Sequence, residues 1–103
     1  MRLRYSAAAL RQIDAALSFV GERSPQGAAS LRKRILAAAA LVQDHPYAAQ
    51  ATSRANTRRV VLAPHPYVLF YRVAADEVFI TRFRHTARKP LEGVGRKERV
   101  GGR

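Results

Sequence analysis

The side chains best suited to chemistry lie in one run, Arg58 to Arg88, which reads RRVVLAPHPYVLFYRVAADEVFITRFRHTAR. Arg59, Arg72, Arg82, Arg84 and Arg88 recur through it, and a guanidinium group carries a rigid fork of donors that matches the oxygens of a phosphate or a carboxylate. Brought to one face, they would hold a polyanion. His85 can trade a proton near neutral pH, so it could serve as base or acid on whatever Arg72, Arg82 and Arg88 held. Each residue also has a plainer alternative. The arginines could be a solvated strand edge paired with Asp76 or Glu77, His85 a polar strand end, and Tyr67 and Tyr71 core aromatics rather than platforms for bases.

Composition points the same way. The chain has 103 residues with 19 basic against 7 acidic side chains, a formal charge of +12, and sixteen of the basic residues are arginine. Arginine with abundant alanine partly reflects a G+C-rich genome, but that does not explain the shortage of Asp and Glu, so a polyanionic partner is implied. The lack of cysteine excludes disulfides and thiolate metal sites, and His45, His65 and His85 have no metal-ligand spacing, so neither metal nor cofactor is expected. Arg2 and Arg4 interrupt the start and the apolar block Ala37 to Val42 falls far short of a span, which predicts a cytoplasmic protein without a membrane span.

The elements that must position the arginines follow from periodicity. Leu3 and Tyr5 alternate with Arg2 and Arg4, as in a first strand. Ser6 is placed to cap a helix from about Ala7 to Glu22, with Leu10, Ile13, Leu17 and Val20 as its buried stripe and Arg11, Gln12, Asp14 and Ser18 in solvent. Ser24-Pro25 caps a second helix to about Gln43, because proline is tolerated where no amide hydrogen is needed. Its buried stripe is Ala28, Leu31, Ile35, Ala38 and Val42, with Arg32, Lys33 and Arg34 on the far side. So short a link makes the pair an antiparallel hairpin. Tyr47 to Thr57 shows neither period and reads as a loop. Three strands follow: Val60 to Leu62, Tyr67 to Ala74 in the centre, and Glu77 to Arg84, with turns at Ala63-Pro64-His65-Pro66 and Ala75-Asp76. Strict alternation puts Val78, Ile80, Arg82 and Arg84 on one face of the last strand and Phe79, Thr81, Phe83 and His85 on the other. The expected fold is α+β: one domain over 1–88, an antiparallel sheet of about four strands covered on one face by the hairpin. A basic tail over 89–103 with four glycines is expected to be disordered.

Element order and four local features resemble the RelE/ParE superfamily of bacterial type II toxins. The features are Tyr5-Ser6-Ala7 opening the first helix, Arg58-Arg59-Val60-Val61 entering the meander, the strand Tyr67-Val68-Leu69-Phe70-Tyr71-Arg72-Val73, and the closing Ile80-Thr81-Arg82-Phe83-Arg84-His85-Thr86-Ala87-Arg88. The resemblance implies a toxin neutralised by a co-expressed antitoxin, as in plasmid stabilisation, in a toxin–antitoxin hetero-oligomer. RelE-like members cut messenger RNA on the ribosome, whereas ParE-like members act on DNA gyrase. In RNA-cutting members an arginine commonly stands three residues before the tyrosine matching Tyr71, and a tyrosine often follows the histidine; here those positions hold Val68 and Thr86. The lysine-rich loop of some is also missing, since Thr52 to Thr57 offers only Arg54. The resemblance therefore favours the ParE-like branch. An mRNA endoribonuclease using His85, Arg72, Arg82 and Arg88, and a non-enzymatic basic nucleic-acid-binding module, are the alternatives. The antitoxin expected from the charge is acidic and partly disordered, adding a strand or helix to the surface.

Overall fold

The computed structural model describes residues 1–87, so Arg88 and the tail fall outside the described residues. Its order is β1 (Arg2–Tyr5), α1 (Ala7–Arg23), α2 (Pro25–Asp44), β2 (Gln50–Ala51), β3 (Thr57–Val61), β4 (Tyr67–Ala74) and β5 (Glu77–His85). Both serine caps form: Ser6 Oγ accepts from the Ala9 amide at 2.9 Å and Ser24 Oγ from the Gly27 amide at 2.9 Å. Ser6 does more than cap, because its hydroxyl also donates to the Thr81 carbonyl at 3.0 Å and so fastens the start of α1 to β5. Replacing Ser6 with alanine is expected to cost about 1 kcal/mol, a typical N-cap loss, measured as a lower urea midpoint with an unchanged slope.

The sheet is mixed, with order β1-β5-β4-β3-β2, and corrects the expectation of an antiparallel sheet of about four strands. The stretch read as a loop contains β2, which pairs antiparallel with β3 through Gln50↔Arg59 and Ala51↔Arg58. That one element changes the parity of the fold. If each short connection reverses the chain, the first and seventh elements run the same way, and β1 pairs parallel with β5. The 52–57 loop closing β2 onto β3 is held by the Thr52 hydroxyl, which donates to the Thr57 carbonyl at 3.0 Å, and by Asn56 in the left-handed region at φ 57°.

The core lies between the hairpin and one face of the sheet. It joins Ala9, Ile13 and Ala16 of α1 and Leu31, Ile35, Ala38 and Val42 of α2 to Leu62, Leu69, Tyr71, Val78, Ile80 and Phe83. In α1 the stripe is shifted from the one expected: Leu10 is half-exposed and small Ala9 and Ala16 are buried. Gln12 stays exposed, as expected, but it also serves the sheet. β5 runs past the end of β1, and Gln12 Oε1 accepts from the otherwise unmatched Phe83 amide at 2.8 Å. Arg34 is instead half-buried, its Nε donating to the Ala63 carbonyl at 3.2 Å. Among the described residues, no helix is long and apolar enough to cross a membrane.

The largest correction concerns β5. Its pairing with β4 runs Phe70↔Arg82 and then Tyr71↔Ile80, so Thr81 is an extra residue in a β-bulge. Alternation breaks there. Val78, Ile80 and Phe83 are all buried toward the hairpin, while Phe79, Thr81, Arg82 and Arg84 lie toward the open side. Arginine is still sorted from Phe83, but not from Phe79, and Val78 and Ile80 do not share the arginines' face.

Candidate functional site

On the open side, an open groove of about 650 Å³ is lined by Arg54, Arg59, Arg72, Arg82 and Arg84 together with Phe70 and small polar residues. Register explains the assembly. Arg59, Phe70 and Arg82 are successive cross-strand partners on β3, β4 and β5, and Arg72 faces Phe79 on β5, which in turn faces Arg4 on β1. Arginine and phenylalanine therefore interleave along two rows of the sheet. The guanidinium carbons of Arg82 and Arg84 lie 5.8 and 5.4 Å from the centre of the Phe70 ring. Those of Arg4 and Arg72 lie 4.3 and 5.6 Å from that of Phe79. The negative face of each ring favours a cation above it.

Glu77, named above as a possible partner of the groove arginines, instead binds Arg4 at 2.9 Å and Arg2 at 3.5 Å at the β1 edge. Among the described residues lining the groove there is no carboxylate. Several guanidinium groups thus share one concave surface, a shape and chemistry suited to a polyanion.

The structure brings together four of the five arginines singled out from sequence, Arg59, Arg72, Arg82 and Arg84, while Arg88 lies outside the described residues. It does not bring His85 to them. His85 pairs with Tyr67 on the hairpin side, their rings edge to face at 5.2 Å, and its Nδ1 accepts from the Ala87 amide at 3.0 Å. The sheet stands between this imidazole and the groove. Tyr67 stacks on Phe83 at 5.2 Å, and Tyr71 is fully buried with its hydroxyl donating to the Pro46 carbonyl at 2.6 Å, so both tyrosines are core aromatics. Burial pushes the Tyr71 phenol above its ordinary pKa, against a smaller downward pull from Arg58, and burial raises Tyr5 too.

Sequence reasoning missed Arg54 and Phe70 as groove residues. Arg54 had only its charge to mark it, because the β2–β3 hairpin that lifts it over the sheet has no periodic signal. Phe70 sits in an apolar strand, where nothing marks it as the centre of an arginine cluster.

Solved structures share this fold. A chain of the chromosomal ParDE TA system from P. aeruginosa matches with a TM-score of 0.73 at 20% identity, over 82% of this chain and 95% of that one. The isolated E. coli RelE toxin matches with a TM-score of 0.57 at 20% identity, over 88% and 89%. In sequence, toxin Y4kP of Sinorhizobium fredii is 30% identical over 80 residues, 78% of this chain and 83% of that protein. Toxin RelE2 of Caulobacter vibrioides is 35% identical over 80 residues, 78% and 89%. The family model for the ParE toxin of the type II toxin-antitoxin system parDE matches residues 3–90, and the chain belongs to that family.

Proposed function

We propose that this type II toxin, which has a protein antitoxin as its partner, arrests growth in the cytoplasm by binding DNA gyrase and does not cut messenger RNA. The observation that carries the reading is the separation of His85 from the arginine groove by the sheet. Cleavage through a 2′-hydroxyl needs a base and an acid beside the cations that hold the scissile phosphate. The groove supplies cations in abundance, but among the described residues its ionisable lining is all arginine, a poor general acid or base. Val68 and Thr86, where RNA-cutting relatives commonly carry arginine and tyrosine, agree with this. The groove is then a recognition surface, with Arg59, Arg72, Arg82 and Arg84 as its binding residues.

The test compares purified toxin in two assays, supercoiling by gyrase and cleavage of ribosome-bound messenger RNA. Inhibited supercoiling with intact message is expected, and His85→Ala should arrest growth as the wild type does. A general base or acid would lose roughly 10²–10⁴-fold in rate on removal. Cleaved message with unaffected supercoiling, together with a harmless His85→Ala variant, would overturn the reading.

A further inference from the structure

We infer that the arginine groove binds the phosphodiester backbone of duplex DNA, so that the toxin engages gyrase and the DNA gyrase holds at the same time. The inference rests on the gyrase reading for where the DNA is met, but the site stands on its own geometry. Across the strands, Arg59, Phe70 and Arg82 fall in one row and Thr57, Arg72, Phe79 and Arg4 in the next. Strands lie about 4.8 Å apart, so the four-strand row is roughly 15 Å long and faces a length of duplex bearing about nine phosphate charges. Arg54 adds a cation from the loop above, and that loop is fixed by its own hydroxyls: Thr52 donates to the Thr57 carbonyl at 3.0 Å and Thr57 to the Ala55 carbonyl at 3.1 Å. Cations on a rigid, twisted sheet can meet phosphates without ordering a flexible arm.

An acidic protein segment is the competing occupant, and the lining argues against it. A peptide that folds on binding gains most from buried apolar side chains, and among the described residues Phe70 and Ala55 are the apolar part of the lining, Phe70 being flanked by Arg82 and Arg84. A duplex backbone brings dense charge and asks for no apolar pocket. Its binding is driven by counterion release, which an arginine-lined groove supplies.

The experiment measures binding of the full chain to a fluorescently labelled 20-base-pair duplex across a salt series. Alongside are Arg72→Gln/Arg82→Gln in the groove, Arg54→Gln/Arg59→Gln as a second groove pair, and Arg32→Gln/Lys33→Gln on the helix as a variant of equal charge loss. Circular dichroism melts confirm that each is folded. Each phosphate contact removed should lower the magnitude of the log–log salt slope by about 1, so each groove pair should lose about 2 and the helix pair almost nothing. Equal losses from groove and helix pairs, or displacement of the duplex by polyglutamate at matched charge, would overturn the assignment. Tighter binding of single-stranded RNA than of duplex would also overturn it. Supercoiling assays on the same proteins separate the two ideas. Inhibition by a wild type that does not bind DNA would sink the groove assignment alone, while groove-dependent DNA binding without inhibition would uphold the groove and sink the gyrase reading.

Discussion

Replacing Phe83 with alanine is expected to cost about 3–5 kcal/mol, while replacing Phe79 should cost about 1 kcal/mol. They stand only four positions apart on one strand. Phe83 is 1% exposed and stacks on Tyr67 at 5.2 Å with the planes 9° apart, so its removal forfeits transfer energy, leaves a cavity and breaks an aromatic pair. Phe79 is half-buried among Arg4 and Arg72, where truncation loses two cation–π contacts and opens onto solvent. A domain of this size has roughly 5–15 kcal/mol of stability in total. The first change should therefore bring the protein close to unfolding at physiological temperature, and the second should leave it folded. Urea titrations of both variants decide it. Similar losses would mean that the two phenylalanines share a face, as unbroken alternation requires, and that the bulge at Thr81 is absent.

That contrast marks where the sequence was legible. Chain-breaking and capping signals are local, so Ser6, Ser24-Pro25 and the two prolines after Leu62 located both helices and the turn before β4. The central place of β4 was readable because both its faces are apolar. What failed was whatever depends on partners distant in sequence. A bulge is a count mismatch between two strands, and nothing in Ile80-Thr81-Arg82 alone says that β4 offers one residue fewer. A two-residue strand such as β2 cannot display a period, yet its presence reverses the direction of everything after it and turns β1 into a parallel edge. At the site the arginines were legible by type, and Arg59, Arg72, Arg82 and Arg84 do converge. The face of His85 was legible too, although a one-residue slip moves a side chain through the sheet. Unbroken alternation would have set His85 with Phe83 and against Arg84, and that pairing survives because the bulge lies upstream of all three. The reading failed instead for Val78 and Ile80, on the other side of Thr81.

Tyr71 links this core to the segment leading into β2, and its loss should show a pH signature. Its ring is fully buried, and its hydroxyl donates to the Pro46 carbonyl at 2.6 Å, just past the end of α2. Arg58 ties the same segment down, donating to the Ala49 carbonyl at 2.8 Å and the Tyr47 carbonyl at 3.3 Å. Tyr71→Phe keeps the ring but strands the Pro46 carbonyl, which should cost about 1–3 kcal/mol at pH 7. Burial, partly offset by Arg58, holds the Tyr71 phenol above its usual pKa, so the folded chain keeps a proton that the unfolded chain releases near pH 10. The stability tied to that proton is fully present below about pH 10 and is lost as pH rises through the folded value. The phenylalanine variant has no such proton. It should start less stable than the wild type at pH 7 and decline less steeply above pH 10, the remaining decline including a share from half-buried Tyr5, whose phenol burial also raises. Urea midpoints of both proteins from pH 7 to 11 would reveal a gap that narrows at the alkaline end. A constant or widening gap would mean that Tyr71 ionises as readily in the folded chain as in the unfolded one, and that its hydroxyl is not held in the core.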